Sequence, residues 1–148
     1  MGKHSIRAVS ATVAATAALA SLTGTAVAAP AVHVDRVALT IKSDTQHAKK
    51  DANGKWHDAY LPAAFSARTG DKVVVTIRNY DLAPHTFTAK KLGLNVVVKP
   101  GSAAHPSVTT FTFTAPRAGN YTWQCLANCD PWAMNHLGFM KGLVTVRA

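Results

Sequence analysis

Beyond residue 30, the chain alternates apolar and polar residues with a period of two rather than the 3.6 of a helix. VHVDRVALTI begins as an alternating, β-branched run, and KVVVTIRN is a short apolar run opened by the turn-like TGD. HTFTA, LNVVV, VTTFTFTA, GNYTWQ and GLVTVR continue the theme. Val, Ile, Thr and aromatic side chains suit a pleated, half-buried surface. Turn-forming residues punctuate these runs: Asp81, Pro84, Pro100 with Gly101, Pro116, Gly119 with Asn120, and Gly142. Short strands separated by such turns predict an all-β fold, an antiparallel Greek-key β-sandwich or barrel of seven or eight strands. Residues 43–55, SDTQHAKKDANGK, are polar and aperiodic and predict an exposed loop. Residues 131–135 have room for one turn of helix at most. No internal repeat is present.

The first 28 residues follow another pattern. Lys3, His4 and Arg7 precede an acid-free run rich in Ala, Val and Leu, and TAVAAP then puts Ala26 and Ala28 at the small-residue positions of a cleavage site. This is the layout of a secretory signal peptide. The apolar run is too short and too diluted by Ser and Thr to favour a permanent span. The expectation is therefore a leader at residues 1–28 and one extracytoplasmic domain at residues 29–148, with no membrane span in the mature chain. A domain of that length can bury a core without staples.

Of the 16 Lys and Arg, Lys3 and Arg7 fall in the leader, leaving 14 against seven acids, all of them Asp. A surplus of this size suits an acidic or membrane-associated partner. The basic residues are scattered singly or in pairs, with no basic helix and no interleaved aromatics, so nucleic acid is not an expected ligand.

The chemistry gathers near the end of the chain. The only two cysteines, Cys125 and Cys129, share one loop with His136 and Met140, between a strand ending at Gln124 and another beginning near Gly142. A further histidine, His85, opens the HTFTA strand. Thiolate, imidazole and thioether are soft or borderline ligands, and a set of this kind selects copper over hard cations. His85, Cys125, Cys129, His136 and Met140 are thus the expected metal ligands, converging at one end of the sandwich and holding one or two copper ions. Met134 is a rival thioether, Asp130 a candidate supporting group and Trp132 a candidate cover for the metal. His33, His47, His57 and His105 lack evident partners and read as surface residues. No Ser-His-Asp or paired-carboxylate arrangement stands out.

From Asp81 onward these residues resemble the cupredoxins, and among them most closely the copper A domain of cytochrome c oxidase subunit II. The likeness rests on an ordered series of anchors: Asp81-Leu82-Ala83-Pro84-His85-Thr86-Phe87, the turn at Pro100 and Gly101, Pro116 followed by Gly119-Asn120-Tyr121, the Cys-x3-Cys of Cys125 and Cys129, and Met140-Lys141-Gly142. Thr69-Gly70-Asp71-Lys72-Val73 and Asn79-Tyr80-Asp81 fit the wider family pattern. The resemblance implies a copper site in which Ala127 stands where the copper A pattern supplies a carbonyl ligand. The loop departs from that pattern: Cys-x3-Cys-x6-His-x3-Met here is four residues longer than Cys-x3-Cys-x3-His-x2-Met. Tyr121-Thr122-Trp123-Gln124-Cys125 also fits the strand that ends at the one Cys of single-copper members.

Three functions are compatible with these residues. The leading one is a secreted copper electron carrier or copper-binding module, possible accessory to an oxidase, exchanging electrons with a redox partner protein. A copper chaperone or store holding cuprous ion is the second. A metal-free secreted domain closed by a Cys125–Cys129 disulfide is the third. An enzyme is not expected, because the ligand set leaves no evident open position for substrate.

Overall fold

The computed structural model describes residues 32–148, so the expected leader lies outside the described residues. Eleven strands follow in order: β1 (Val34–Lys42), β2 (Lys49–Lys50), β3 (Trp56–His57), β4 (Ala59–Leu61), β5 (Ala64–Arg68), β6 (Lys72–Asn79), β7 (His85–Ala89), β8 (Leu94–Val98), β9 (Ser107–Thr114), β10 (Gly119–Gln124) and β11 (Lys141–Arg147). Nine of them form two sheets, ordered β4-β1-β6-β9 and β5-β11-β10-β7-β8, while β2 and β3 make a separate hairpin. Among the described residues, no helix is long and apolar enough to cross a membrane.

The β-sandwich expected from the alternation is present, with two corrections. It has nine strands in its main sheets rather than seven or eight, because the short β4 and the Ala-containing β5 carry too little periodic signal to be read. It is also not wholly antiparallel: β1 runs parallel to β6, and β5 parallel to β11. Parallel neighbours need a long connection between them. The chain supplies this by passing from β1 through β4 and β5 before returning at β6. Residues 43–55 are largely exposed, but they include a 3-10 turn at Asp44–Gln46, and Lys49 and Lys50 pair with β3.

Alternation decides which side chains meet between the sheets. Val73, Val75, Ile77 and Asn79 of β6 face inward, as do Val144 and Val146 of β11 and Tyr121 and Trp123 of β10. The core centres on three rings: Trp123 stacks on Phe87 at 4.6 Å, and Tyr60 from β4 meets Trp123 edge-on at 4.7 Å. Gly142 lies against this cluster. A Cβ there would overlap the Ala63 carbonyl oxygen and stand 2.6 Å from the Trp123 ring. The Tyr121 hydroxyl donates back to the Arg117 carbonyl, pinning the turn into β10.

Asn79 fixes the way into β7. Fully buried, it donates to the carbonyls of Ala83 and Lys99, both at 2.9 Å, and accepts from the Asp81 N–H. All of these groups are paired, which is what makes a buried amide tolerable. The segment between β6 and β7 is thereby tied to the core and to the chain after β8.

Candidate metal centre

The Gln124–Lys141 pair ends the β10–β11 ladder, and a further bond from the Cys125 N–H to the Met140 carbonyl at 2.8 Å closes the base of the loop. Cys125 and Met140 are therefore held side by side, both fully buried. His85 enters from β7, next to β10 in the same sheet. The Thr86 N–H points at the Cys125 sulfur at 3.4 Å, and its hydroxyl oxygen accepts the Leu126 N–H at 2.7 Å. The Tyr60 hydroxyl donates to the Thr86 carbonyl, linking this strand to the opposite sheet.

The His85 ring is buried, with Nε2 2.9 Å from Asp81 Oδ2 and Nδ1 3.7 Å from the Cys125 sulfur. A carboxylate accepts, so Nε2 carries the proton toward Asp81 and Nδ1 is turned to the sulfurs. The Cys125 and Cys129 sulfurs lie 3.2 Å apart, and both cysteines are free. The ligating atoms of His85, Cys125 and Cys129 all fall within 4.8 Å of one another.

The electrostatics of the cluster are those of one shared proton. The Cys125 thiol is pulled well down by the hydrogen bond from Cys129; burial opposes this, and His85 and the Thr86 N–H reinforce it. Cys129 is pushed up by its bond to Cys125 and by burial, so it keeps the proton while Cys125 carries the charge. Burial alone would lower His85, but Cys125 and Asp81 outweigh it and the ring is raised. Burial, and then the charge held by the sulfur pair, push the Tyr60 phenol well up. The donor set is thus a buried thiolate, a second sulfur and an oriented imidazole nitrogen. This suits a soft or borderline metal such as copper and does not suit a hard one.

Of the five residues expected to bind metal, His85, Cys125 and Cys129 are brought together, and Met140 is buried beside Cys125. His136 stands apart. It is exposed, its Nδ1 lies 2.6 Å from the Trp132 carbonyl, and its ring stacks on the Trp132 indole at 3.6 Å and 10°. The residues of the lengthened loop account for this. Asp130 Oδ1 accepts the N–H groups of Trp132 and Ala133, starting the 3-10 turn at Ala133–Asn135 that carries His136 outward. Trp132 lies between His136 and His57 rather than simply capping a metal.

His57 corrects another expectation. It is buried, not on the surface: Nδ1 lies 2.7 Å from Asp130 Oδ2 and Nε2 3.4 Å from Asp51 Oδ2. Its partner Asp130 is 73 residues away, so no local pattern could show the pair. His33 is exposed and pairs with Asp35 and Asp71, and His47 and His105 are exposed as expected. Asp81 had a readable signal as the supporting carboxylate, being four residues before His85. Asn79 and Thr86 act through backbone contacts that residue type alone does not reveal.

A β-sandwich that gathers two sulfurs and a buried imidazole where its strands end defines a class of proteins with a candidate soft-metal centre. The family model for the cupredoxin-like domain matches residues 11–146, and the chain belongs to that family. No curated protein sequence matches it. Solved structures with a similar fold include the blue copper oxidase from Nitrosomonas europaea, 19% identical at a TM-score of 0.59 over 78% of this chain and 39% of that one. The metal-binding domain of a Cu(I)-exporting P-type ATPase from Streptococcus pneumoniae is 15% identical at a TM-score of 0.51, over 82% and 93%. Reduced auracyanin from Roseiflexus castenholzii is 19% identical at a TM-score of 0.50, over 78% and 99%. The chain thus spans well under half of the blue copper oxidase and nearly all of the two smaller proteins.

Proposed function

We propose that this chain is an exported copper-binding electron carrier whose centre is built from His85, Cys125, Cys129 and Met140. The observation that carries the reading is the pair of free sulfurs 3.2 Å apart, with Cys125 fully buried, facing the Nδ1 of an imidazole whose Nε2 is tied to Asp81. Copper in that position would supply one-electron exchange between its cuprous and cupric forms. The chain's own groups supply the rest. Asp81 orients the imidazole, the Thr86 N–H stabilises the charge on Cys125, and the β10–β11 ladder fixes Cys125 beside Met140. The Tyr60, Phe87 and Trp123 rings limit how far these donors can shift on a change of charge.

One imidazole and two sulfurs in the cluster favour a single ion over a bridged pair, which would want a terminal imidazole for each metal. Export ahead of residue 29 and exchange with an acidic or membrane-associated redox protein belong to the same reading. Leu82 and Leu126, next in sequence to Asp81 and Cys125, are exposed where such a partner would approach. A second reading, a cuprous chaperone or store, is favoured by Cys129, the one half-exposed member of the cluster.

Metal analysis with electron paramagnetic resonance of the copper-loaded protein tests the proposal. One copper per chain, a visible thiolate band and hyperfine splitting from a single nucleus are expected. Splitting from two equivalent nuclei would replace the single ion with a bridged pair. Cuprous binding that yields no coloured, reversible cupric form would favour the chaperone.

A further inference from the structure

The lengthened loop is held by a residue outside the two main sheets. We infer that His57, on the β2–β3 hairpin, is a positioning residue that sets the second sulfur of the copper centre through Asp130. This inference rests on the copper reading above only where it names the metal; the positioning of Cys129 stands on geometry alone.

One imidazole reaches both ends of the loop's added stretch. At one end its Nδ1 lies 2.7 Å from Asp130 Oδ2, and Asp130 directly follows Cys129. The other oxygen of the same carboxylate accepts from Trp132 and Ala133, so His57 and the 3-10 turn compete for no lone pair and jointly fix the carboxyl plane. At the other end the His57 ring meets Phe139 edge-on at 5.8 Å, and Phe139 directly precedes Met140. Between the two, the Trp132 indole lies flat on His57 at 4.0 Å and 19°. The Ala133 carbonyl then accepts the Met140 N–H at 3.2 Å, passing the turn's position on to the loop's base.

The hairpin has further ties to the same segment. Lys49 Nζ donates to the Gly138 carbonyl at 2.7 Å and sits over the Phe139 ring. The backbone of the loop has no strand pairing between residues 126 and 136; its own bonds there are local, such as the Cys129 N–H to the Ala127 carbonyl at 2.9 Å, so the bonds from the hairpin tie this stretch to a distant part of the chain. A charge-assisted bond to a carboxylate is among the stronger ties a side chain can offer. The hairpin therefore acts as a splint for the part of the site that the sandwich does not itself hold.

Selective alkylation of Cys129 in the metal-free protein, with Cys125 replaced by Ser, tests the idea without copper. His57→Gln moves the amide away from the Nδ1 position, and His57→Asn keeps an N–H there. Alkylation of Cys129 in the His57→Gln protein should be faster by roughly tenfold, the scale of one charge-assisted hydrogen bond, while His57→Asn stays near the parent rate. With Cys125 restored, His57→Gln should also alter the visible and paramagnetic signature of the copper form, and His57→Asn should recover it. Equal alkylation rates and an unchanged signature in His57→Gln, with only a lower melting temperature, would overturn the inference and leave His57 a packing residue. If His57→Gln fails to fold by circular dichroism, Asp130→Asn replaces it, with the same outcomes. A parent protein that binds no copper yet shows the alkylation difference would sink the copper reading while sustaining the positioning role.

Discussion

Residues 79–87 and residues 129–140 each deliver part of one candidate centre, but they are held in different ways. The first segment is anchored from inside. Asn79 is buried with three hydrogen bonds, Asp81 and His85 pair at 2.9 Å, and β7 then lies inside a five-stranded sheet, between β10 and β8. The second is anchored largely by side chains, His57, Asp130 and Lys49, that lie outside the two main sheets, with the Trp132–His136 stack at its outer edge. Groups tied into the core open only with the whole domain, whereas those tied by a few side chains open locally. The site thus joins a fixed half, with His85 and Cys125, to an adjustable half, with Cys129.

Breaking the fixed half should have the largest effect. Asn79→Ala leaves the Ala83 and Lys99 carbonyls and the Asp81 N–H without their partner. A loss of about 2–4 kcal/mol in global stability is expected, with a lower midpoint in urea unfolding and no separate loop transition. A smaller cost confined to hydrogen exchange near the site would contradict the division.

The adjustable half should yield less, and locally. Asp130→Ala removes the acceptor of the Trp132 and Ala133 N–H groups and should cost about 1–2 kcal/mol, the usual scale of a lost cap. Exchange protection should fall in residues 130–140 and not in β6 or β7. Acid should act on the same carboxyl. Burial would raise Asp130, but the Ala133 N–H and His57 outweigh it and hold it below its ordinary value. Its stabilising contribution is thus present above the unfolded carboxyl pKa of about 3.9, and is lost as pH falls through the lower folded value. Asp58 works in the opposite direction. Burial, with the charges of Asp81 and Asp130, raises it against the Asp44 N–H, so its contribution is lost as pH rises through the raised folded value. Asp130→Asn should remove the first slope and weaken the second without abolishing it, since burial remains the largest cause of the Asp58 shift, as read from melting temperatures between about pH 2 and pH 6.

Lys49→Met should have the smallest effect. It loses the bond to Gly138 and the cation over the Phe139 ring while keeping an apolar stem, for a cost of about 0.5–1 kcal/mol. A global loss as large as that from Asn79→Ala would erase the contrast between the two halves.

The same contrast governs how much could be read from the sequence. Strands β6 to β11 follow the alternation, and His85, Cys125, Cys129 and Met140 could be picked out by residue type at strand ends. His85, Cys125 and Met140 belong to the fixed half or its edge, where local periodicity and tertiary position agree, whereas Cys129, in the adjustable half, is marked by its spacing from Cys125. The parallel pairings escaped because alternation marks a strand without giving its direction. His57 escaped because its main partner, Asp130, is 73 residues away, and a histidine between two unremarkable stretches carries no pattern of its own. His136 is picked out by residue type and spacing, and in the longer loop its ring is exposed and stacked on Trp132 rather than grouped with His85, Cys125 and Cys129.

The bond from the Cys125 N–H to the Met140 carbonyl makes the intervening 14 residues a closed excursion from the sandwich. The entropy of closing such a loop grows only with the logarithm of its length. Going from ten residues, the span in the copper A pattern, to 14 costs about 0.3 kcal/mol. The excursion is therefore an exchangeable part. Its length and sequence can change the donors beyond Cys125 while the strands that clasp its two ends remain where they are.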